Sequence, residues 1–132
     1  MKIVIIGIVS VFLAGLATAQ DKPKPKMLRI TVDDIANDFK ANEAAARKRF
    51  APPKDGVGGV IVQLESQRLQ SVRKNELNLY AESSVKVVVI AKDFKETVKG
   101  SNLVTCSCTF RDFKNNTVYF DSSDVKINRV IP

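Results

Sequence analysis

Apolar residues change period along this chain, and each change marks an element. After Lys2, residues 3–16 form an apolar run broken only by small residues; Ala17-Thr18-Ala19 then gives way to polar Gln20-Asp21. A charged start, a short apolar centre and small residues at the positions a signal peptidase reads predict a secretory signal peptide over residues 1–19. The run is shorter than the ~20 apolar residues a spanning helix needs. The expected product is soluble and exported, either secreted or periplasmic, with no membrane span. No cysteine lies near the cleavage site, so no lipid anchor is expected.

Residues 20–29 carry alternating lysine and proline, Lys22-Pro23-Lys24-Pro25-Lys26, a composition that predicts a flexible arm. Thr31-Val32-Asp33-Asp34 then resembles a capping box. Ile35, Ala36, Phe39, Ala46 and Phe50 follow at helical spacing. Asp33 and Asp34 at the start and Arg47, Lys48 and Arg49 at the end suit the helix dipole, and Pro52-Pro53 ends the element. One helix over residues 32–50 is predicted.

Beyond Gly56 the period becomes two. Val60, Val62 and Leu64 mark a first strand, with Gly58-Gly59 as a bend before it. The polar, basic stretch 67–76 reads as a loop. Leu77, Leu79 and Ala81 mark a second strand, and Glu82-Ser83-Ser84 a turn. Residues 85–91 form a β-branched third strand. Residues 92–99 lack alternation and predict a short helix closed by Gly100. Val104, Cys106, Cys108 and Phe110 mark a fourth strand. Asn115-Asn116 is a turn, and Val118 and Phe120 mark a fifth strand. The predicted class is mainly β with an N-terminal helix: an OB-fold, a five-stranded Greek-key barrel with a short helix between strands three and four, spanning residues 30–132.

Charge adds one inference. Lys and Arg number 21 against 14 Asp and Glu, a net charge of +7 that falls to +6 when Lys2 leaves with the signal peptide. This permits anionic partners without requiring them. There is no histidine and no tryptophan. Without histidine no Ser–His–Asp or Cys–His arrangement can form, and the two cysteines alone do not complete a tetrahedral zinc site. Asp33-Asp34 has a capping role, and Asp121-Ser122-Ser123-Asp124 reads as a turn. No enzyme activity and no cofactor are expected. Cys106 and Cys108, two apart on one strand face, are either buried thiols or a disulfide pair.

The remaining chemistry is cationic and aromatic. OB-folds bind oligomers across strands two and three and the loops joining strands one to two and four to five. Those loops carry Arg68, Arg73 and Lys74, then Arg111, Lys114 and Asn115-Asn116. Tyr80 is expected to point outward beside Lys86, with Phe113 as a second aromatic. Arg68, Arg73, Lys74, Tyr80, Lys86, Arg111 and Lys114 are therefore the candidate ligand-binding residues. The function expected is a non-catalytic binding module of unassigned ligand. One alternative is a binder of polyanions, either single-stranded nucleic acid or acidic oligosaccharide. The other is a self-associating envelope protein using outward-facing Val88 and Ile90.

The stretch Asp33-Asp34-Ile35 leading into Phe39-Lys40-Ala41-Asn42-Glu43-Ala44-Ala45-Ala46 resembles the tRNA_anti-like family, exported bacterial OB-fold proteins of unassigned function. Lys99-Gly100-Ser101-Asn102 is similar to the turn feeding that family's fourth strand. The resemblance covers residues 30–125 and implies the same barrel. Two departures stand out. Ala51-Pro52-Pro53-Lys54-Asp55 replaces the usual lysine–glycine–lysine, and Cys106 or Cys108 stands where a glycine is expected.

Overall fold

A computed structural model describes residues 22–92, 94 and 102–128. The fold is mainly β. In chain order the elements are β1 (Lys26–Arg29), α1 (Val32–Ala41), α2 (Glu43–Arg49), β2 (Val60–Arg73), β3 (Glu76–Leu79), β4 (Lys86–Ala91), β5 (Leu103–Lys114), β6 (Thr117–Ser122) and β7 (Lys126–Asn128). Five strands close a barrel in the order β2-β3-β4-β6-β5, with β5 returning to β2. All its pairings are antiparallel except β4 with β6, which run parallel. This closed barrel is consistent with an OB-like architecture. No helix among the described residues is long and apolar enough to cross a membrane.

Within the arm expected over residues 20–29, the last four residues form a strand. Lys26–Arg29 pairs in parallel with β2, from Lys26 opposite Val60 to Arg29 opposite Gln63. The Pro23 carbonyl accepts from the Gly58 amide at 2.8 Å, which fixes the chain before the strand.

The single expected helix is two. Asn42 adopts an extended conformation (φ −160°, ψ 99°) and accepts from the Ala45 amide through Oδ1, so it caps a second helix. An asparagine that satisfies an orphan N–H offers the chain an alternative to continuing α1. Thr31 caps α1 in the same way, with Oγ1 accepting from the Asp34 amide at 3.1 Å. The apolar stripe survives the break: Ile35, Ala36, Phe39, Ala46 and Phe50 are all buried in one core with the barrel. Phe39 stacks on Phe50 and Phe110 and lies 4.9 Å from the Phe113 ring; Phe120 meets Phe50 and Phe110 edge-on.

Arg47 fastens α2 to β5. Its guanidinium donates to Glu43 at 2.8 Å and to the Phe113 carbonyl at 2.8 Å, and lies 3.5 Å from Asp112. The hydrogen bond to Glu43, with the charges of Glu43 and Asp112, holds Arg47 above its ordinary pKa.

The stretch 67–76 is not a loop. β2 continues to Arg73, and a two-residue turn at Lys74-Asn75 joins it to β3. Two bulges explain the misleading pattern. Pairing slips between Leu64 and Gln67, where Ser66 takes φ 49°, and again between Leu69 and Ser71. Each extra residue flips the face that points inward. Interior positions thus run Val62, Leu64, Leu69 and Val72, which no period-two reading recovers.

Asn115 and Asn116 both have positive φ and form the turn from β5 to β6. The chain's last described residues form β7, antiparallel to β5 with Leu103 opposite Asn128. Of the short helix expected over residues 92–99, only Lys92 and Phe94 are described. The rest of it, Gly100 and the proposed signal peptide lie outside the described residues.

Candidate functional site

Four of the seven candidate residues fall in one row across the outside of the barrel. Leu69, Leu79, Val87 and Val118 point inward and are at most 2 % exposed. Alternation therefore turns their neighbours Arg68, Tyr80, Lys86 and Thr117 outward, but Thr117 is only 8 % exposed, so the row offers Arg68, Tyr80, Lys86 and Lys114 to solvent. Leu69 is opposite Leu79, and Leu79 is opposite Val87, so Arg68, Tyr80 and Lys86 come level. Lys86 then faces Thr117 on β6, and Thr117 faces Lys114 on β5. The row runs Arg68, Tyr80, Lys86, Thr117, Lys114. With strands ~4.8 Å apart, its cations recur about every 10 Å.

Local interactions hold the row. The Tyr80 amide donates to the Arg68 carbonyl at 2.8 Å, and the Arg68 guanidinium sits over the Tyr80 ring, 5.5 Å from its centroid. Lys114 Nζ lies 5.6 Å from the centroid of Tyr119. The Lys86 amide donates to the Asn116 carbonyl at 3.0 Å, and Asn116 Nδ2 donates to the Ser84 carbonyl at 2.9 Å, which fixes the β5–β6 turn against β4. Among the described residues, none of Arg68, Lys86 and Lys114 is in an ion pair. Their charge is available to an incoming anion.

The other three candidates lie elsewhere. Arg73 is a strand residue opposite Glu76, beside the turn that carries Lys74. The Asn75 carbonyl accepts from the Ala91 amide, so this turn sits at the far end of β4 from Lys86. Arg111 occupies the bulge between Phe110 and Asp112 and donates to Asp121 at 3.1 Å. It lines a shallow groove of ≈ 930 Å³ with Asn75, Ile90, Lys92, Asp121 and Asp124. Asp124 is engaged there, accepting from the Ser107 amide at 2.9 Å and from Ser122 Oγ at 3.2 Å. Paired and mixed charges give this groove no net pull on a polyanion.

Two expectations about the outer face change. Phe113 is not a second surface aromatic, because its half-buried ring packs on Phe39. That position belongs to Tyr119, which the alternation between buried Val118 and Phe120 turns outward. Val88 does face outward, between Asn78 and Tyr119, but it is 5 % exposed; with half-buried Ile90 it forms no open apolar patch.

Cys106 and Cys108 point into the core, opposite Leu64 and Val62. They are buried and unbridged. A hydrogen bond with Cys106, then burial, pushes the Cys108 thiol far above its ordinary range, so it stays neutral. Among the described residues no cluster of three or more Cys, Asp or Glu is placed to hold a metal ion.

Comparison of the chain with family models, curated proteins and solved structures gives no match.

Proposed function

We propose that this chain is an exported, non-catalytic OB-fold module that binds a linear polyanion across the outside of β3, β4 and β6. The observation that carries the reading is the row Arg68, Tyr80, Lys86, Thr117 and Lys114, with Tyr119 beneath Lys114. A flexible anionic chain needs regularly spaced cations to track its charges and flat rings on which its sugars or bases rest. The strand order and the parallel β4–β6 pair support a Greek-key OB topology, in which the face of strands two and three, here β3 and β4, is a common binding surface; of the two turns that border it, the row ends at the β5–β6 turn, Asn115-Asn116. Export rests on the residue 1–19 pattern, and membership of the tRNA_anti-like family on the Asp33 to Ala46 stretch. In that stretch Asn42 has a clear structural reason, since it caps α2.

The test is fluorescence anisotropy with labelled heparin and a labelled single-stranded oligonucleotide, at low and high salt. Binding that weakens linearly in logarithmic salt fits the proposal, because counterion release governs such association. The preferred polymer identifies the ligand class. No binding of either polymer at low salt refutes it. The competing reading, self-association through Val88 and Ile90, lacks an open apolar patch to support it.

A further inference from the structure

A second cationic surface lies apart from the row, at β1. Lys26 donates to the Gly59 carbonyl and Ile30 to the Gln63 carbonyl, so alternate residues Met27 and Arg29 turn their backbone groups away from β2. Among the described residues no strand lies beyond β1. Met27 is 57 % exposed, the most exposed large hydrophobic side chain described. Beside it runs a groove of ≈ 480 Å³ whose lining includes Lys26, Met27, Lys48, Arg49 and Val60, with no carboxylate. Arg49 pairs with Asp38 and Arg29 with Glu65 (3.2 Å), but Lys26 and Lys48 have no ion pair among the described residues.

We propose that β1 is a docking edge for an extended acidic peptide. The peptide adds a strand beside Lys26–Arg29, places carboxylates toward Lys26 and Lys48, and rests an apolar side chain on Met27. Charge selects this occupant over a second copy. Lys26 and Lys48 are unpaired among the described residues and the groove beside them carries no carboxylate, so an acidic strand meets opposite charge there, whereas a second copy brings the same carboxylate-free lining. Pro23 and Pro25 lack the amide protons to extend the ladder, so the added strand is short and the complex transient.

The experiment titrates the purified protein with a fluorescent peptide alternating glutamate and valine. Controls are the same peptide N-methylated at alternate residues, its lysine–valine counterpart, and vesicles of anionic phospholipid. Expected are micromolar binding of the acidic peptide, at least tenfold weakening by N-methylation, and at least tenfold weakening by the double variant Lys26→Glu/Lys48→Glu. Thermal melting checks that this variant folds. Lys86→Ala/Lys114→Ala should bind the peptide as the parent does. The proposal is overturned by absent binding, by equal binding of the N-methylated or basic peptide, or by binding that disappears with Lys86 and Lys114. Vesicle binding in preference to the peptide also overturns it, since that makes the surface a membrane-facing one.

Discussion

Arg68 and Tyr80 lie on adjacent strands, joined by a backbone hydrogen bond of 2.8 Å and by a guanidinium 5.5 Å from the ring centroid. The bulge at Ser66 makes this pairing. Without the extra residue, Arg68 would face the core and Leu69 the solvent. A defect in the ladder thus brings a cation to the head of the row.

Lys86→Ala and Lys114→Ala should each weaken binding of a single-stranded oligonucleotide or heparin. Each should also reduce the slope of log affinity against log salt, by about 0.7 for each anionic group of the polymer that is no longer neutralised. Arg73→Ala/Lys74→Ala should leave affinity near the parent value, because that turn lies at the opposite end of β4. Equal losses from both sets, measured by anisotropy, would show a diffuse charge effect in place of a defined row.

Asn42→Ala removes the side chain that caps α2. The expected cost is about 1 kcal/mol, the usual value of an N-cap, read as a lower urea midpoint with unchanged slope. No change would mean that the packing of Ala46 and Phe50 alone places the second helix.

Gly59 has φ +68°, and a Cβ there would lie 2.4 Å from the Pro52 carbonyl carbon. Gly59→Ala must displace backbone, so it should destabilise by clearly more than about 1 kcal/mol. Gly56 also has positive φ (+75°) but nothing within 4 Å of its Cβ position. Gly56→Ala should cost about 1 kcal/mol, the strain of a left-handed residue alone. Equal costs in thermal or urea melts would contradict the close approach at Gly59.

The Cys108 thiol gives a pH dependence. Its folded pKa lies far above the ordinary value of 9.0. Above that value the unfolded chain loses a proton that the folded chain keeps, so stability is full below pH 9 and declines as pH rises. The decline due to one thiol is about 1.4 kcal/mol per pH unit. Cys108→Ala should remove that part of the slope while lowering stability at neutral pH through poorer packing. An identical slope in parent and variant between pH 9 and 10.5 would contradict this.

Elements whose period stayed constant were legible from the sequence. The Ile35 to Phe50 stripe, the alternation through Val104 to Phe110 and the Asn115-Asn116 turn each appear where the pattern puts them. What escaped has local causes. The break at Asn42 lies between helix-favouring neighbours, so only the cap geometry reveals it. Two bulges changed the parity of β2 and made its second half look irregular. β1 is four residues long and sets Met27 and Leu28 side by side on opposite faces, with no alternation to detect. At the candidate site, residue types were legible but their grouping was not. Arg68 and Lys114 are far apart in sequence and join one row only through the strand order β2-β3-β4-β6-β5. Tyr119 was readable from its place between Val118 and Phe120.

The most direct test of the row is an NMR titration of the ¹⁵N-labelled protein with a short heparin fragment at low salt, and in parallel with a short oligonucleotide. Amide shifts should concentrate at Arg68, Tyr80, Lys86, Thr117 and Tyr119, and should fade as salt is added. Shifts concentrated at Arg73, Lys74 and Arg111, or spread evenly over every exposed lysine and arginine, would contradict it.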